Sequence, residues 1–163
     1  MKAKTRQKRR TTTLGLFRRD LVVSVRPIYA AKIIDGSKTV ELRRRFPDSV
    51  AAGSLALIYS SSPVQAIIGY ARIKEVRRLP VRQIWQHFRE AACIEKVDFE
   101  QYFAGLKQGY AILLEKPRRA RKQVKATDLQ QEFGFTPPQS FRYVGEEYEA
   151  ILRDERLQIP NRY

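Results

Sequence analysis

The chain has 163 residues, 43% of them hydrophobic, and its 32 Lys and Arg outnumber 17 Asp and Glu to give a formal net charge of +15. This length predicts one domain, and the apolar content excludes disorder of the whole chain. The charge favours partners rich in phosphate, while the lack of any long apolar run argues against a membrane span or secretory signal and predicts a cytoplasmic protein.

Residues 1–13 have almost no apolar side chains and predict a disordered basic arm, either a solubilising tail or a contact for nucleic acid. Residues 1–20 hold eight basic residues and one acid, so the rest of the chain still carries a net charge of +8. We therefore expect a basic single domain over residues 14–163, with its core at 21–115 and a helical extension at its C-terminal end.

Short apolar runs separated by proline and glycine fill the first half of the chain. Residues 21–25 are dense in β-branched side chains and predict a buried strand, which is followed by a helix that begins at Pro27 and ends at Gly36. Residues 38–44 alternate like a strand with one charged face. Further strands are predicted at residues 55–59 and 64–76, the second interrupted at Gly69.

The second half of the chain predicts helices with fewer strands. Helices are expected at residues 80–89, at a segment capped by Asp98, after Thr127 or Asp128, and at 146–157. A strand is expected at 110–115, and the basic run 116–125 reads as a loop or an edge strand. Because strands and helices do not alternate regularly, we expect an α+β fold, a small mixed β-barrel with surrounding helices, and not a doubly wound sheet.

Several kinds of chemistry have no residues here to perform them. The chain contains no glycine-rich phosphate loop, no paired zinc motif and no serine nucleophile elbow. Cys93 is the only cysteine and His87 the only histidine, so neither a disulfide nor a histidine and cysteine metal site is expected. No cofactor is therefore predicted.

One polar constellation remains, around the predicted strand after Gly36. Its members are Arg26, Lys38, Thr39, Glu41, Arg43, Arg44 and Arg45. Lysine and arginine match phosphate oxygens, and a glutamate can hold a base edge, orient a lysine or accept a proton. The same pattern also suits a solvated edge strand with ordinary ion pairs, and the pattern alone leaves both interpretations open.

Three segments together resemble the ASCH domain family of the PUA-like superfamily: SVRPIYAAKIIDGSKTVELRRRFP, a strand that ends in YSSSP, and VQAIIGYARI. The later PPQSFRY is similar to the end of the longer members. This resemblance implies a barrel of five or six strands with a cleft beside the first helix and the GxKTxExR strand, and it implies RNA or modified bases as ligands. A fold by itself does not fix the activity.

The resemblance also directs attention to particular residues. A branch of the family that hydrolyses 4-acetylcytidine has its lysine at the position of Lys38, but it has a threonine where this chain has Glu41. Lys38 and Glu41 are the catalytic candidates, and that departure argues against a simple transfer of the amidohydrolase mechanism. The candidates for contact with nucleic acid are Arg26, Thr39, Arg43, Arg45, Tyr59, Ser60, Ser61, Ser140 and Tyr143.

Three functions fit these observations, and the sequence leaves the oligomeric state open. The leading hypothesis is a module that binds single-stranded RNA or a modified nucleotide in the cleft. The second is an RNA-processing enzyme, a ribonuclease or a modified-nucleoside amidohydrolase, that uses Lys38 and Glu41. The third is a transcription-associated protein that binds DNA through its basic arm.

Overall fold

The computed structural model describes residues 19–160, so the basic arm expected at 1–13 lies outside the described part of the chain. Its strands are β1 Leu21–Val25, β2 Val40–Arg43, β3 Leu55–Ser60, β4 Ala66–Pro80, β5 Gln108–Lys125 and β6 Phe141–Tyr143. Its helices are α1 Pro27–Asp35, α2 Val81–Phe88, α3 Lys96–Tyr102, α4 Ala126–Phe133 and α5 Glu149–Leu152, with a 3₁₀ turn at Glu146–Tyr148.

The six strands form one sheet in the order β2-β5-β4-β3-β1-β6. β1 runs parallel to β3, and the other neighbours are antiparallel. The sheet curls into a half-barrel, which confirms the expected α+β class and the small mixed barrel with surrounding helices. Its two edges are β2 and β6, and no backbone ladder joins them within residues 19–160.

The helix α1 follows β1 after a single residue, and its ends lie where the sequence predicts them. Pro27 stands at the first helical position, where its fixed φ fits and its missing N–H is not needed. Gly36 ends the helix at φ 88°, in the left-handed region that glycine adopts most easily. The buried side chains of Ala30, Ile33 and Ile34 attach α1 to the sheet.

The two longest strands, β4 and β5, pair from one end to the other with three shifts of register, the largest of which leaves residues 120–123 of β5 without a partner in β4. At Gly69 one shift brings the strands so close that an added Cβ would collide with the carbonyl oxygen of Arg118. Only glycine fits there, in agreement with the predicted interruption of the strand. The basic run at 116–125, expected as a loop or an edge strand, is the second half of β5.

The buried apolar side chains fall into three clusters. The first lies where α1 packs on the sheet, and the second lies under α4 and α5 and contains Tyr59. The third joins β2 to α2 and α3. β1 serves two clusters because Leu21 and Val23 face one side of the sheet and Val22 faces the other.

Some expected details are wrong. The first residue before α3 is Glu95, so Asp98 lies inside the first turn and does not cap the helix, and Lys125 holds the corresponding place before α4. The helix expected at 146–157 is reduced to the 3₁₀ turn and the four residues of α5. No helix within residues 19–160 has the length and apolar character needed to cross a membrane.

Candidate nucleic-acid cleft

A cavity of about 610 Å³ opens between the start of α1, the strand β2 and the helix α3. The end of β1, the turn after β3 and the segment before β6 complete its wall. Its lining residues are Ser24, Val25, Arg26, Tyr29, Lys38, Glu41, Leu42, Arg43, Arg44, Ser61, Ile94, Asp98, Gln101, Tyr102 and Gln139. This volume falls in the usual range for a small-ligand site.

Lys38 contributes a buried ammonium group to the cavity wall and is only 4% exposed. Its Nζ donates a hydrogen bond to the carbonyl oxygen of Ala92 at 2.6 Å and lies 3.4 Å from Oε2 of Glu41. It also lies 5.0 Å from the centre of the Tyr29 ring. Burial lowers the pKa of Lys38, and the nearby Glu41 carboxylate opposes that shift.

Glu41 is the carboxylate between two cations. Its Oε2 faces Lys38, and its Oε1 lies 2.9 Å from Nη2 of Arg43. All three side chains are buried. Alternation along a strand at 38–44 predicts that Lys38 and Glu41 point to opposite faces. Lys38 instead precedes β2, which begins at Val40, so its side chain can reach Glu41. The three charges therefore form a buried row, and β2 is not the solvated edge strand considered as an alternative.

Arg43 connects the two edges of the half-barrel. From the edge strand β2 its Nη2 donates to the carbonyl oxygen of Ser24 at 2.6 Å, and its Nη1 lies 3.3 Å from Oγ and 3.4 Å from the carbonyl oxygen of Ser140. The rings of Phe46 and Phe141, 5.1 Å apart, join the same edges beside it. Side chains thus take the place of the missing backbone ladder. Nε of Arg43 is buried without a partner among the described residues.

Exposed groups form the rim of the cavity. Arg26 and Arg44 are exposed and have no ion pair within residues 19–160. Tyr102 is 36% exposed; its hydroxyl donates to the carbonyl oxygen of Leu42 and accepts the N–H of Arg44, each at 3.2 Å. Burial raises the pKa of Tyr29 and of Tyr102, so both phenols stay neutral at physiological pH. The rim therefore offers free cations beside aromatic rings.

A second depression of about 520 Å³ adjoins the first and shares Arg43, Arg44 and Tyr102 with it. Its other lining residues are Arg45, Leu106, Ser140 and Phe141. Two candidates from the sequence, Arg45 and Ser140, are located here. The two depressions together form a groove that passes over the Arg43 bridge.

The structure brings most candidates from the sequence to this groove, but four of them lie elsewhere. Arg26, Lys38, Glu41, Arg43 and Ser61 line the main cavity. Thr39 is exposed and holds β2 through its backbone, and Tyr59 packs in the cluster under α4. Ser60 is 1% exposed, and Tyr143 packs against the α1 cluster with Arg19 over its ring. None of these four lines either depression.

The wall that α3 supplies has no local signal in the sequence. Asp98, Gln101 and Tyr102 line the cavity from α3, although the whole of β3, β4 and α2 separates that helix from β2 in the chain. A helical pattern indicates that α3 exists, but nothing local indicates that its polar side meets β2. Tyr29 lies inside the family-like run and is not among the candidates, because an aromatic residue in a short apolar helix usually belongs to the core.

Comparison of the sequence with known proteins identifies a matching domain family and a relative of similar length. A model of the ASCH domain matches residues 23–139. A protein of Zymomonas mobilis subsp. mobilis named ASCH domain-containing ribonuclease is 31% identical over 134 residues, which cover 80% of this chain and 87% of that protein.

Solved structures agree with that match. The crystal structure of ASCH from Zymomonas mobilis is similar with a TM-score of 0.77 and 30% identity, and the match covers 82% of this chain and 93% of that one. Human THYN1, in complex with DNA that contains 5-methylcytosine, is similar with a TM-score of 0.52 over 82% of this chain and 95% of its own. At 10% identity, that second likeness concerns the fold alone.

Proposed function

Since the chain belongs to the ASCH domain family, we propose that it binds single-stranded RNA, or a modified nucleotide within RNA, in the groove between α1, β2 and α3. The observation that carries this proposal is the arrangement of charge in the main cavity. Four cations, Arg26, Lys38, Arg43 and Arg44, line it against two carboxylates, Glu41 and Asp98. The excess positive charge suits a phosphate backbone.

The uncharged groups of the cavity suit unpaired bases better than a duplex. Tyr29 and Tyr102 offer ring faces on which a base can stack, while Gln101, Gln139 and Ser61 offer donors and acceptors to base edges. Exposed apolar side chains, Ile28 and Val97, stand beside the lining residues of α1 and α3. A paired duplex hides these base surfaces, so we expect a preference for single strands.

The cations of the rim provide the direct test. The double variant Arg26→Gln and Arg44→Gln should bind single-stranded RNA about 10-fold more weakly, and the salt dependence of log K should fall by about 1.4, because two phosphate contacts are lost. Fluorescence anisotropy over a range of salt concentrations measures both. The matched control is Arg82→Gln with Arg89→Gln, two exposed arginines of the α2 region that line neither depression. Equal losses in the two variants would contradict a site at this groove.

The same assay separates the cleft from the N-terminal arm. Deletion of residues 1–13 should leave most of the affinity for RNA, since the groove supplies its own cations. Loss of all binding on deletion would instead favour the third hypothesis, a transcription-associated protein that binds DNA through its basic arm.

A second candidate function is cleavage of RNA, which the name of the 31% identical relative favours. In such a reaction the 2′-oxygen attacks phosphorus, the bond to the 5′-oxygen breaks, and a proton passes from the 2′-hydroxyl to a base while an acid protonates the 5′-oxygen. Lys38 and Glu41 are the pair for these transfers. The lowered pKa of Lys38 makes its ammonium a better acid. Both oxygens of Glu41 already face a cation, Lys38 on one side and Arg43 on the other, so neither is free to receive a substrate proton, and for this reason binding ranks first.

Labelled RNA and acetylated cytidine distinguish the two enzymatic possibilities from binding alone. If the chain is a ribonuclease, Lys38→Ala should reduce the rate of RNA cleavage by about 100-fold or more, in keeping with the loss of one proton-transfer group. The control is Lys96→Ala, an exposed lysine whose removal should leave the rate unchanged. A full rate in Lys38→Ala would remove Lys38 from the mechanism.

A further inference from the structure

The second half of β5 carries an unusual concentration of uncompensated charge. Residues 116–125 hold six basic side chains and no acid: Lys116, Arg118, Arg119, Arg121, Lys122 and Lys125. All six are exposed, and none forms an ion pair with another residue in the part of the chain that the structure describes. By contrast, Arg77, Arg153 and Arg156 each have a carboxylate partner.

The strand geometry spreads these charges along a line. Ala120 and Val124 turn into the core under α4 and anchor the strand, while the basic residues between them remain in solvent. Residues 118–125 lie opposite only residues 66–70 of β4, because residues 120–123 bulge without a β4 partner. At about 3.3 Å per residue of β4, this part of the segment spans about 15 Å. Such a row of like charges repels itself, and a bound polyanion relieves that repulsion along its whole length.

One edge of this segment is open. β2 pairs with β5 only as far as Leu113, and one more hydrogen bond joins the N–H of Leu114 to the carbonyl oxygen of Thr39. Beyond Glu115 no strand of the described chain pairs with that side, and the C-terminal segment touches it at one bond, from the N–H of Lys122 to the carbonyl oxygen of Arg156. Ligand phosphates can therefore reach both the side chains and the strand edge.

The helix α1 connects this segment to the cleft. Its first residues border the cavity through Arg26 and Tyr29, and its last turn lies against β5, since an added Cβ at Gly36 would be 3.9 Å from Cγ of Pro117. A helix of this length spans about 13 Å. A strand of RNA that leaves the cleft along α1 thus meets the beginning of the basic row after a short distance.

From this charge, exposure and position we infer that residues 116–125 are a second RNA-binding surface, one that holds the phosphate backbone of a single strand whose end or loop occupies the cleft. This inference rests on the proposed function. It assigns the contact to backbone phosphates without base recognition, because the surface supplies cations and no amide or aromatic side chain except Gln123.

The test is a quadruple variant with Arg118, Arg119, Arg121 and Lys122 each replaced by glutamine, measured on single-stranded RNA of about 20 and about 4 nucleotides. For the longer RNA the salt dependence of log K should fall by about 2.8, because four phosphate contacts are lost, and binding at low salt should be at least about 10-fold weaker. For the shorter RNA both the salt dependence and the affinity should be unchanged. The control replaces Arg78, Arg82, Arg89 and Lys107, four exposed basic residues on other elements, with glutamine.

Each result has a definite meaning. Loss confined to the longer RNA and to the β5 variant supports the inference. An unchanged salt dependence, with aggregation of the β5 variant, would overturn it and show that the charges only prevent edge-to-edge pairing of strands. Equal losses in the control variant would also overturn it, because the total charge would then be responsible. If the unaltered chain binds neither RNA, the proposed function itself fails.

Discussion

Replacement of Glu41 by alanine should lower the free energy of unfolding by about 3–5 kcal/mol, because it leaves the charges of Lys38 and Arg43 buried beside each other without a carboxylate. Lys38 is 4% exposed and Arg43 is 7% exposed, so both cations would stay poorly solvated after the carboxylate is lost. Denaturant unfolding measures the change. The matched control is Glu100→Ala, which removes an exposed carboxylate paired with Lys96 and should cost less than about 0.5 kcal/mol.

A double-variant cycle tests whether the pairing is the cause. The double variant Glu41→Ala and Lys38→Met removes one of the two cations that Glu41→Ala alone leaves without a carboxylate. Its loss of unfolding free energy should therefore be smaller than the sum of the two single losses by about 1–3 kcal/mol. Methionine retains most of the length and apolar contacts of the lysine side chain. Strictly additive losses would show that Lys38 and Glu41 stabilise the fold independently, with no energetic coupling between them.

Replacement of Arg43 by lysine should cost about 3 kcal/mol and release the β6 edge of the sheet, although the charge is retained. A lysine cannot reach Glu41, the carbonyl oxygen of Ser24 and Ser140 at once, since it has no planar fork of donors. Hydrogen exchange should accelerate at Arg142 and Val144, whose segment pairs only with the β1 side of the sheet. Exchange in β3 and β4 should change little.

The neighbouring arginine provides the control for that experiment. Arg44→Lys alters an exposed side chain whose backbone N–H, and not its guanidinium, is bonded to Tyr102. Its effect on unfolding should remain within about 0.5 kcal/mol. If Arg43→Lys matches Arg44→Lys in both stability and exchange, Arg43 does not hold the edges together.

The first part of the fold is predictable almost to the residue because the signals there are local. β1, α1 and β3 are short segments whose composition, proline and glycine define their ends without help from distant residues. β6 escapes prediction for the same reason: its three residues are too few for alternation to be visible, and the strand exists only because β1 offers an edge. The sequence pattern divides the long β5 in two because the second half owes its form to pairing with β4.

The candidate site is predictable on one wall only. The GxKTxExR strand places Lys38, Glu41 and Arg43 in the cavity, since several charges on one short strand need partners or a ligand wherever that strand is buried. Tyr59 and Ser60 are candidates because of their place at the end of a strand, but Tyr59 continues the regular alternation of β3 and packs with Leu57 under α4, and Ser60 is 1% exposed. The α3 wall depends on contacts between segments far apart in the chain, which no local pattern records.

The Arg43 bridge has a consequence for synthesis of the chain. Its partners Ser24 and Ser140 are separated from it by 19 and 97 residues, so the bridge joins the start of the domain to a segment made much later. A nascent chain that has not yet reached Gln139 can form the bond from Arg43 to Ser24 but lacks both contacts to Ser140, and it lacks Gln139 from the cavity wall. Completion of the groove is thus tied to synthesis of the segment around Ser140, and a chain that has not reached that point has only part of the cavity wall.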